Sequence, residues 1–484
     1  WKPDGSMVIY NASDAVNSTP PLGGSPTTLI PVSDFGRFFT CAWSPAADRI
    51  ACANLKDGAI YIGDGDGRNL KRLTPASRDA AHSPAWSPDG NRIAYVTGNA
   101  EFLVWGPTLG NLAASSIWVI PSSGGDPVRV TDDNHLNTSP VWAADGGHLL
   151  FVSSAGGARD IYSQRVSSSG HADGAPARVT TGLNPHSISL SSDGRSLAYS
   201  VFNTTGNVWK ASINGMQPIQ SASMTQLTFG NQTIESMSVS RDERWLAYDS
   251  NVNGNADIYR LSLAGGEPQQ LTHDPADDFS PVWSPDGSQI AFHSFRNGTR
   301  DVFVMSADGS RVEPVIATPA QERLATWSAD GQSVAFVVMP DSVFISTRKN
   351  GHWGPPRFLV NGSGALWSPD GKNISIGAAS GILLVTPDGT RGKTIDVEGQ
   401  EQLGIYGGTW SADSHLQYYN GIGKDGTSII GAVDVATLES KILYHFSDPL
   451  RQIYRFNLWA DSKNIFFTLG TRESDVWVME LKNK

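Results

Sequence analysis

Five side chains spread along the sequence, His82, His186, Glu235, Asp278 and Arg323, are of types that could move a proton, ligate a metal or hold a small ligand. The motifs that would turn such groups into a catalytic set are missing. There is no Gly-x-Ser-x-Gly elbow, no His-Glu-x-x-His and no protein-kinase signature. Gly392-Lys393-Thr394 lacks the glycine that a phosphate-binding loop needs five residues earlier, so it reads as an ordinary turn. Asp64-Gly65-Asp66-Gly67 resembles a calcium-loop fragment, but no distal glutamate follows at the required spacing. The expectation is a chain with no catalytic residues, no metal and no cofactor, in which these five groups line a polar opening.

The elements that must position them come from a repeat. The stretch Trp283-Ser284-Pro285-Asp286-Gly287 followed by Ile290-Ala291-Phe292 recurs in degraded copies, with the tryptophan position held by Trp1, Trp43, Trp86, Trp142, Leu190, Val239, Trp283, Trp327, Trp367, Trp410 and Trp459. Ser-Pro-Asp-Gly is turn chemistry: proline presets φ, aspartate bonds to nearby backbone, and glycine accepts positive φ. The flanking runs 279–283 and 289–294 are short and rich in branched and aromatic residues, as strands are. A third run at 301–305 and a fourth at 312–316 complete four antiparallel strands per period. Four strands in a period of roughly 40–45 residues describe a propeller blade. The predicted fold class is therefore all-β, tandem β-propellers built from about eleven four-stranded antiparallel blades.

Fifty glycines and 28 prolines punctuate these strands, and a formal charge of −11 disfavours nucleic acid or an anionic membrane surface as partner. No apolar run is long enough to span a bilayer. Trp1 already stands at the end of a repeat's first strand, so the native start is expected upstream. The two cysteines, Cys41 and Cys52, flank the turn of the second repeat. Pairing Trp43 with Ile50 sets Cys41 opposite Cys52, within reach of a disulfide; two small buried hydrophobes are the alternative. A disulfide would argue for an oxidising, periplasmic or otherwise extracytoplasmic compartment.

Leu190 and Val239 replace the tryptophan, and a change in the repeat core marks a candidate domain boundary. The expected division is 1–184, an N-terminal set of blades, and 185–484, a C-terminal propeller of six or seven blades. Counting six blades back from the end moves the boundary near 229, with 226–229 as the closing strand.

The pattern Trp-Ser-Pro-Asp-Gly, Ile-Ala-Phe, Asp-Val-Phe-Val-Met and then Leu-Thr resembles the TolB-like, WD-like propeller repeats over essentially the whole chain. Segments 271–283, 292–296 and 474–481 more narrowly resemble the C-terminal propeller region of bacterial membrane-anchored serine/threonine kinases. Related propellers precede the catalytic domains of prolyl-oligopeptidase-type and tricorn-type peptidases; neither catalytic domain is present in this sequence.

In a propeller the first strand of each blade lines a channel. Residues four before the tryptophan position, Phe39, His82, Thr138, His186, Glu235, Phe279 and Arg323, are then expected at a channel mouth, with Asp133, His135, Asp277, Asp278 and Glu322 nearby. The longest interval between repeats holds an insertion, 98–116, whose Phe102, Val104, Trp105 and Leu109 would present an apolar partner-binding patch, or else fold onto their own blade. The function this favours is a non-catalytic protein-binding or scaffolding propeller, docking to a partner protein or membrane complex through its loop face. A ligand-sensing or enzymatic channel, or the accessory propeller of a kinase or peptidase, is the alternative.

Overall fold

Each repeat is organised by its turn. In the computed structural model, which describes residues 1–484 except 13–14, 32–37, 78, 101, 104–109, 319, 340, 379–380, 398–399, 424, 449–450 and 482–484, the Ser284 hydroxyl donates to Asp286 Oδ1 (2.6 Å) and accepts the Gln289 N–H (2.9 Å). Asp286 Oδ1 also accepts the Ser288 N–H (3.0 Å), and Gly287, at φ +70°, donates to Ser284 O (2.9 Å). The serine hydroxyl, first among several hydrogen bonds, holds the Asp286 carboxyl below the usual carboxylate range. The Ser–Asp bond recurs at Ser87–Asp89, Ser191–Asp193, Ser240–Asp242, Ser328–Asp330, Ser368–Asp370 and Ser411–Asp413.

A second device fastens the outer strand. Thr74, Thr131, Thr180, Thr228 and Thr272 each accept, at Oγ1, the backbone N–H of the third strand's residue Ile60, Ile117, Ile161, Val208 or Ile258, at 2.8 to 3.0 Å. The residue before each threonine returns its own N–H to the same third-strand residue's carbonyl; Leu271 N to Ile258 O is 2.7 Å. These are the Leu-Thr and Val-Thr pairs of the repeat.

Tryptophan joins sheet to sheet. Trp86 Nε1 donates to Ala42 O (3.0 Å) and Trp142 to Ala85 O (3.1 Å), in each case the carbonyl just before the previous repeat's tryptophan. Trp327 to Val282 O and Trp410 to Leu366 O, both 3.1 Å, repeat the arrangement. At these four positions the indole fills the space between neighbouring sheets and its one polar atom is satisfied there, whereas the buried Nε1 atoms of Trp283 and Trp367 have no hydrogen-bond partner.

The chain forms two compact units: Trp1–Asn203 with Ser474–Lys484, and Thr204–Glu473. The passage at 203/204 lies inside one strand, Ser196–Ser212, and falls between the two boundaries expected from sequence. Residues 474–484, expected in the C-terminal propeller, belong instead to the first unit. The reason is the length of the final strand, Asn464–Glu480, which runs on after its part in the second unit is complete.

In the first unit, sheets of four strands are built on Phe38–Trp43, Ala81–Trp86 and Asn137–Trp142, flanked by three strands at 8–30 and by a sheet of Ser187–Leu190, 196–203 and 474–480. In the second unit the first strands Met237–Val239, Asp278–Trp283, Glu322–Trp327, Ser363–Trp367, Gln400–Trp410 and Arg451–Ala460 touch in sequence, and the last returns to the first, closing a ring. The closing sheet takes 451–460 and 464–473 from the end of the unit, and 204–212 and Thr225–Gln226 from its beginning. Gly470 sits at that seam: a Cβ there would lie 2.0 Å from Thr205 O, so a side chain is excluded.

Cys41 stands opposite Cys52 and Trp43 opposite Ile50, and the two sulfurs are bonded. Replacing Cys41 and Cys52 together by serine, or reducing the bond, is expected to cost about 2–3 kcal/mol, as expected for a short closed loop, read as a lower urea midpoint for the first unit; an unchanged midpoint overturns it. Trp283 is buried, so Trp283→Ala is expected to destabilise the second unit by roughly 3–5 kcal/mol in the same measurement.

Candidate functional site

The first strands that were expected to aim polar groups at a channel carry an irregularity. Their register shifts between Phe39 and Cys41, His82 and Ala85, Thr138 and Val141, Phe279 and Val282, and Arg323 and Thr326. Within each bulge the residue three before the tryptophan has positive φ: Thr40 (40°), Ser83 (51°), Ser139 (51°), Ser280 (55°) and Leu324 (56°). A bulge re-aims the side chains beside it. Here it turns the position four before the tryptophan into the blades: His82, Thr138, Phe279 and Arg323 are buried and Phe39 is half-buried, while His186 and Glu235, which precede strands with no register shift, are buried too. The expectation that these residues line an open mouth is corrected on that ground.

Nor do the five candidates meet. His82 and His186 belong to the first unit; Glu235, Asp278 and Arg323 belong to the second. His82 lies 2.8 Å from Gly98 O through Nε2 and 3.0 Å from Ser83 Oγ through Nδ1, and burial pushes its pKa down to about 4, so the ring is neutral near pH 7. His186 is held between aromatic rings, with centroids 4.9 Å from Phe102 and 4.4 Å from Phe202, and the Arg159 guanidinium lies 5.3 Å from the Phe102 ring. Phe102 is therefore fully buried, which corrects its assignment to an exposed patch: the start of the insertion plugs the first unit through this stack. Val104, Trp105 and Leu109 fall outside the described residues. Asp133 is exposed and His135 half-buried, and they pair locally, with Arg129 (2.7 Å) and Asp132 (3.1 Å).

In the second unit the acidic groups are more densely placed. Glu235 is buried beside Asp249, whose Oδ1 accepts the N–H groups of Glu235 (2.6 Å) and Ser236 (3.1 Å) and whose Oδ2 accepts that of Ser280 (3.0 Å). Burial, and then the Glu235 charge, push the Asp249 carboxyl up to about 7. Asp278 receives Arg296 Nη2 at 3.0 Å on both oxygens, and burial raises its pKa. Asp277, raised by burial, accepts the Ala256 N–H (2.8 Å). Glu322, next to buried Arg323, is pushed up to about 7 by burial and by the Asp301 charge, and its Oε1 takes the Thr318 hydroxyl. Asp257 accepts Thr272 Oγ1 and Gln270 Nε2, each at 3.0 Å, and burial raises it to about 6.

Asp249 and Asp277 are spent on backbone N–H groups, and Asp257, Asp278 and Glu322 accept nearby side chains. Asp249 ties the beginnings of the first two ring strands together, and no hydrogen is offered outward by the bonds it makes. Among the described residues no group of three or more His, Cys, Asp or Glu side chains could hold a metal ion. At the other end of the second unit's first strands a cavity of about 200 Å³ opens, walled by Val239, Trp283, Trp327, Trp367, Trp410 and Trp459. Sequence reasoning passed over Asp249 and Arg296; the readable signal for Asp249 was a lone carboxylate inside the strand Trp245–Ser250.

Residues 172–382 match the family described as TolB beta propeller domain. Over those residues the repeats are TolB-like. The chain is similar to the uncharacterized peptidase YuxL of Bacillus subtilis (strain 168), 27% identical over 208 residues, covering 42% of this chain and 28% of that protein. It is also similar to the Tol-Pal system protein TolB of Bordetella pertussis (strain Tohama I), 29% identical over 144 residues, covering 22% of this chain and 33% of the relative. The chain thus spans about a third or less of the length of these curated relatives. The crystal structure of TolB from Acinetobacter baumannii is 18% identical, covering 72% of this chain and 77% of that one, with a TM-score of 0.29. Within the TolB-like repeats the Asp of Asp-Ile-Tyr and Asp-Val-Phe, at 257 and 301, is one of the buried carboxyls above.

Asp249, Asp257 and Glu322 have folded-state pKa values of about 7, 6 and 7, against roughly 4 when unfolded. Between about pH 4 and 7 the folded state holds more protons, so this contribution to stability is lost as pH rises through that window. Glu235→Gln removes the charge that helps to raise Asp249 and is expected to flatten the fall, measured as urea midpoint against pH; an unchanged slope counts against the pairing.

Proposed function

We propose that this chain is a non-catalytic binding or scaffolding propeller that works outside the cytoplasm and docks to a partner protein, alone or in a membrane complex, through the loop face carrying residues 98–116. The observation that carries the reading is the occupation of the polar groups: His82, His186, Glu235 and Asp278, expected at a channel mouth, are buried, and His82 and Asp278 are bonded within their own blades. The TolB-like repeats and a relative named for the Tol-Pal system are consistent with assembly rather than turnover. The Cys41–Cys52 bond fits an oxidising compartment, and among the described residues no helix is long and apolar enough to cross a membrane.

On this reading Phe102 is the anchor of the insertion, and Val104, Trp105 and Leu109 are the side chains offered to the partner. A second reading, the accessory propeller of a peptidase, is favoured by one observation, the similarity to a protein named as an uncharacterized peptidase.

The test is chemical crosslinking of the tagged chain in cells, with crosslinked peptides mapped by mass spectrometry. Crosslinks concentrated on 98–116, and a partner yield that falls about tenfold in a Trp105→Ala, Leu109→Ala double variant, are expected, in line with the weight of buried aromatic anchors. Crosslinks that avoid this loop, or a yield unaffected by the double variant, would falsify the loop-face reading.

A further inference from the structure

The cavity of about 200 Å³ at the tryptophan end of the second unit's first strands takes no part in the function proposed above. Its wall is the repeat itself: five indoles and Val239, one residue from each first strand of the closed ring. Trp283, Trp327 and Trp410 are buried, whereas Trp367 and Trp459 are half-buried and keep ring surface open. In another protein an engineered apolar cavity of about 150 Å³ takes up benzene. A cavity of about 200 Å³ therefore has room for one aromatic ring with a short chain, and for little more.

Most polar side chains around this wall are already occupied. Ser240, Ser284 and Ser368 donate to the aspartates of their own turns, and Thr326 Oγ1 donates to Ala365 O (2.8 Å). The two carboxylates are occupied as well: Glu243 Oε1 accepts the Ser462 N–H (3.0 Å), and Asp461 Oδ1 accepts the N–H groups of Lys463 (2.7 Å) and Asn464 (2.6 Å). Arg241 differs. It is exposed on the same wall and makes no hydrogen bond or ion pair among the described residues. The buried Nε1–H groups of Trp283 and Trp367 also lack an acceptor, although Trp327 and Trp410 find one on the preceding blade. Guanidinium and indole N–H are donors only, so what would complete this wall is an acceptor with negative charge.

We propose that this end of the second unit's channel binds a small aromatic monocarboxylate, its ring among the indoles and its carboxylate at the Arg241 guanidinium. Aromatic rings pack on indole in offset or edge-to-face geometry, and guanidinium receives a carboxylate through paired N–H donors. A cationic ligand would meet the free charge of Arg241 and two carboxylates already bonded elsewhere. The volume commits the occupant to a free small molecule, since a chain segment would not fit beside the ring. The lining residues belong to the second unit and residues 98–116 to the first, so the inference stands whether or not that loop docks a partner.

The experiment is isothermal titration calorimetry of the full 484-residue chain with 3-phenylpropionate, its neutral amide 3-phenylpropanamide and its cationic counterpart 3-phenylpropylamine. The acid is expected to bind saturably with Kd below about 1 mM. The amide should bind about fivefold more weakly, the low end for a hydrogen bond to a charged group because Arg241 is exposed, and the amine should not bind. Arg241→Gln should bring the acid down to the level of the amide and leave the amide unchanged. Ala412→Phe, at an exposed turn position on the cavity wall, should abolish both, with circular dichroism confirming the fold of each variant. If Ala412→Phe does not fold, the Arg241→Gln comparison decides alone. The proposal is overturned if the acid does not bind, if acid and amide bind alike, if Arg241→Gln keeps their ratio, or if binding survives in folded Ala412→Phe. Tighter binding of the tetrapeptide Gly-Ala-Gly-Phe than of 3-phenylpropionate would assign the cavity to a chain terminus and likewise overturn it.

Discussion

The structure depends on a sheet of four short strands being unable to bury both of its faces alone. Each blade survives by pressing one face on the blade before it and the other on the blade after, and the tryptophan at the end of the first strand is the joint. Its ring occupies the gap, and its Nε1–H closes on the preceding blade's carbonyl at Trp86, Trp142, Trp327 and Trp410. A side chain smaller than indole would leave a void between layers, and voids in packed interiors are costly. Where the chain has Val239 instead, the neighbouring core is filled from elsewhere: Ile234, Met237, Leu246 and Leu458 crowd the same cluster.

The polar half of the repeat answers to the same constraint. Blades this small have many strand ends, and every end leaves backbone donors that must be paired. Serine and aspartate satisfy them at one end of the hairpin, threonine at the other, and Asp249 satisfies three at once. Residues that look like site chemistry in a list are consumed by this work. That is why raised pKa values at Asp249 and Glu322 point here to burial inside a framework, although the same shifts in an open cleft would point to acid–base chemistry.

Much of the framework was legible in the sequence because it is periodic. The tryptophan spacing, the Ser-Pro-Asp-Gly turns and the register that sets Cys41 against Cys52 all follow from local chemistry repeated many times. The rest was not legible because it is not local. Nothing in Ser83-Pro84 or Ser280-Pro281 announces a bulge with positive φ, yet that bulge decides that His82 and Phe279 turn inward. Phe102 read as an exposed apolar residue of an insertion because its partners, His186, Phe202 and Arg159, lie 57 to 100 residues further on. The final strand read as the last of its own repeat, since length alone does not say which neighbour the excess will join.

Closure of the second unit brings together the two ends of its chain. In the second unit, Thr205 and Thr471 are 266 residues apart in sequence and meet at 2.9 Å, with Gly470 clearing the space for Thr205 O. Bringing such distant ends together costs about 5 kcal/mol of loop entropy on the logarithmic scaling. The return is large, because the ring strands then touch all the way round and no first strand is left without a neighbour.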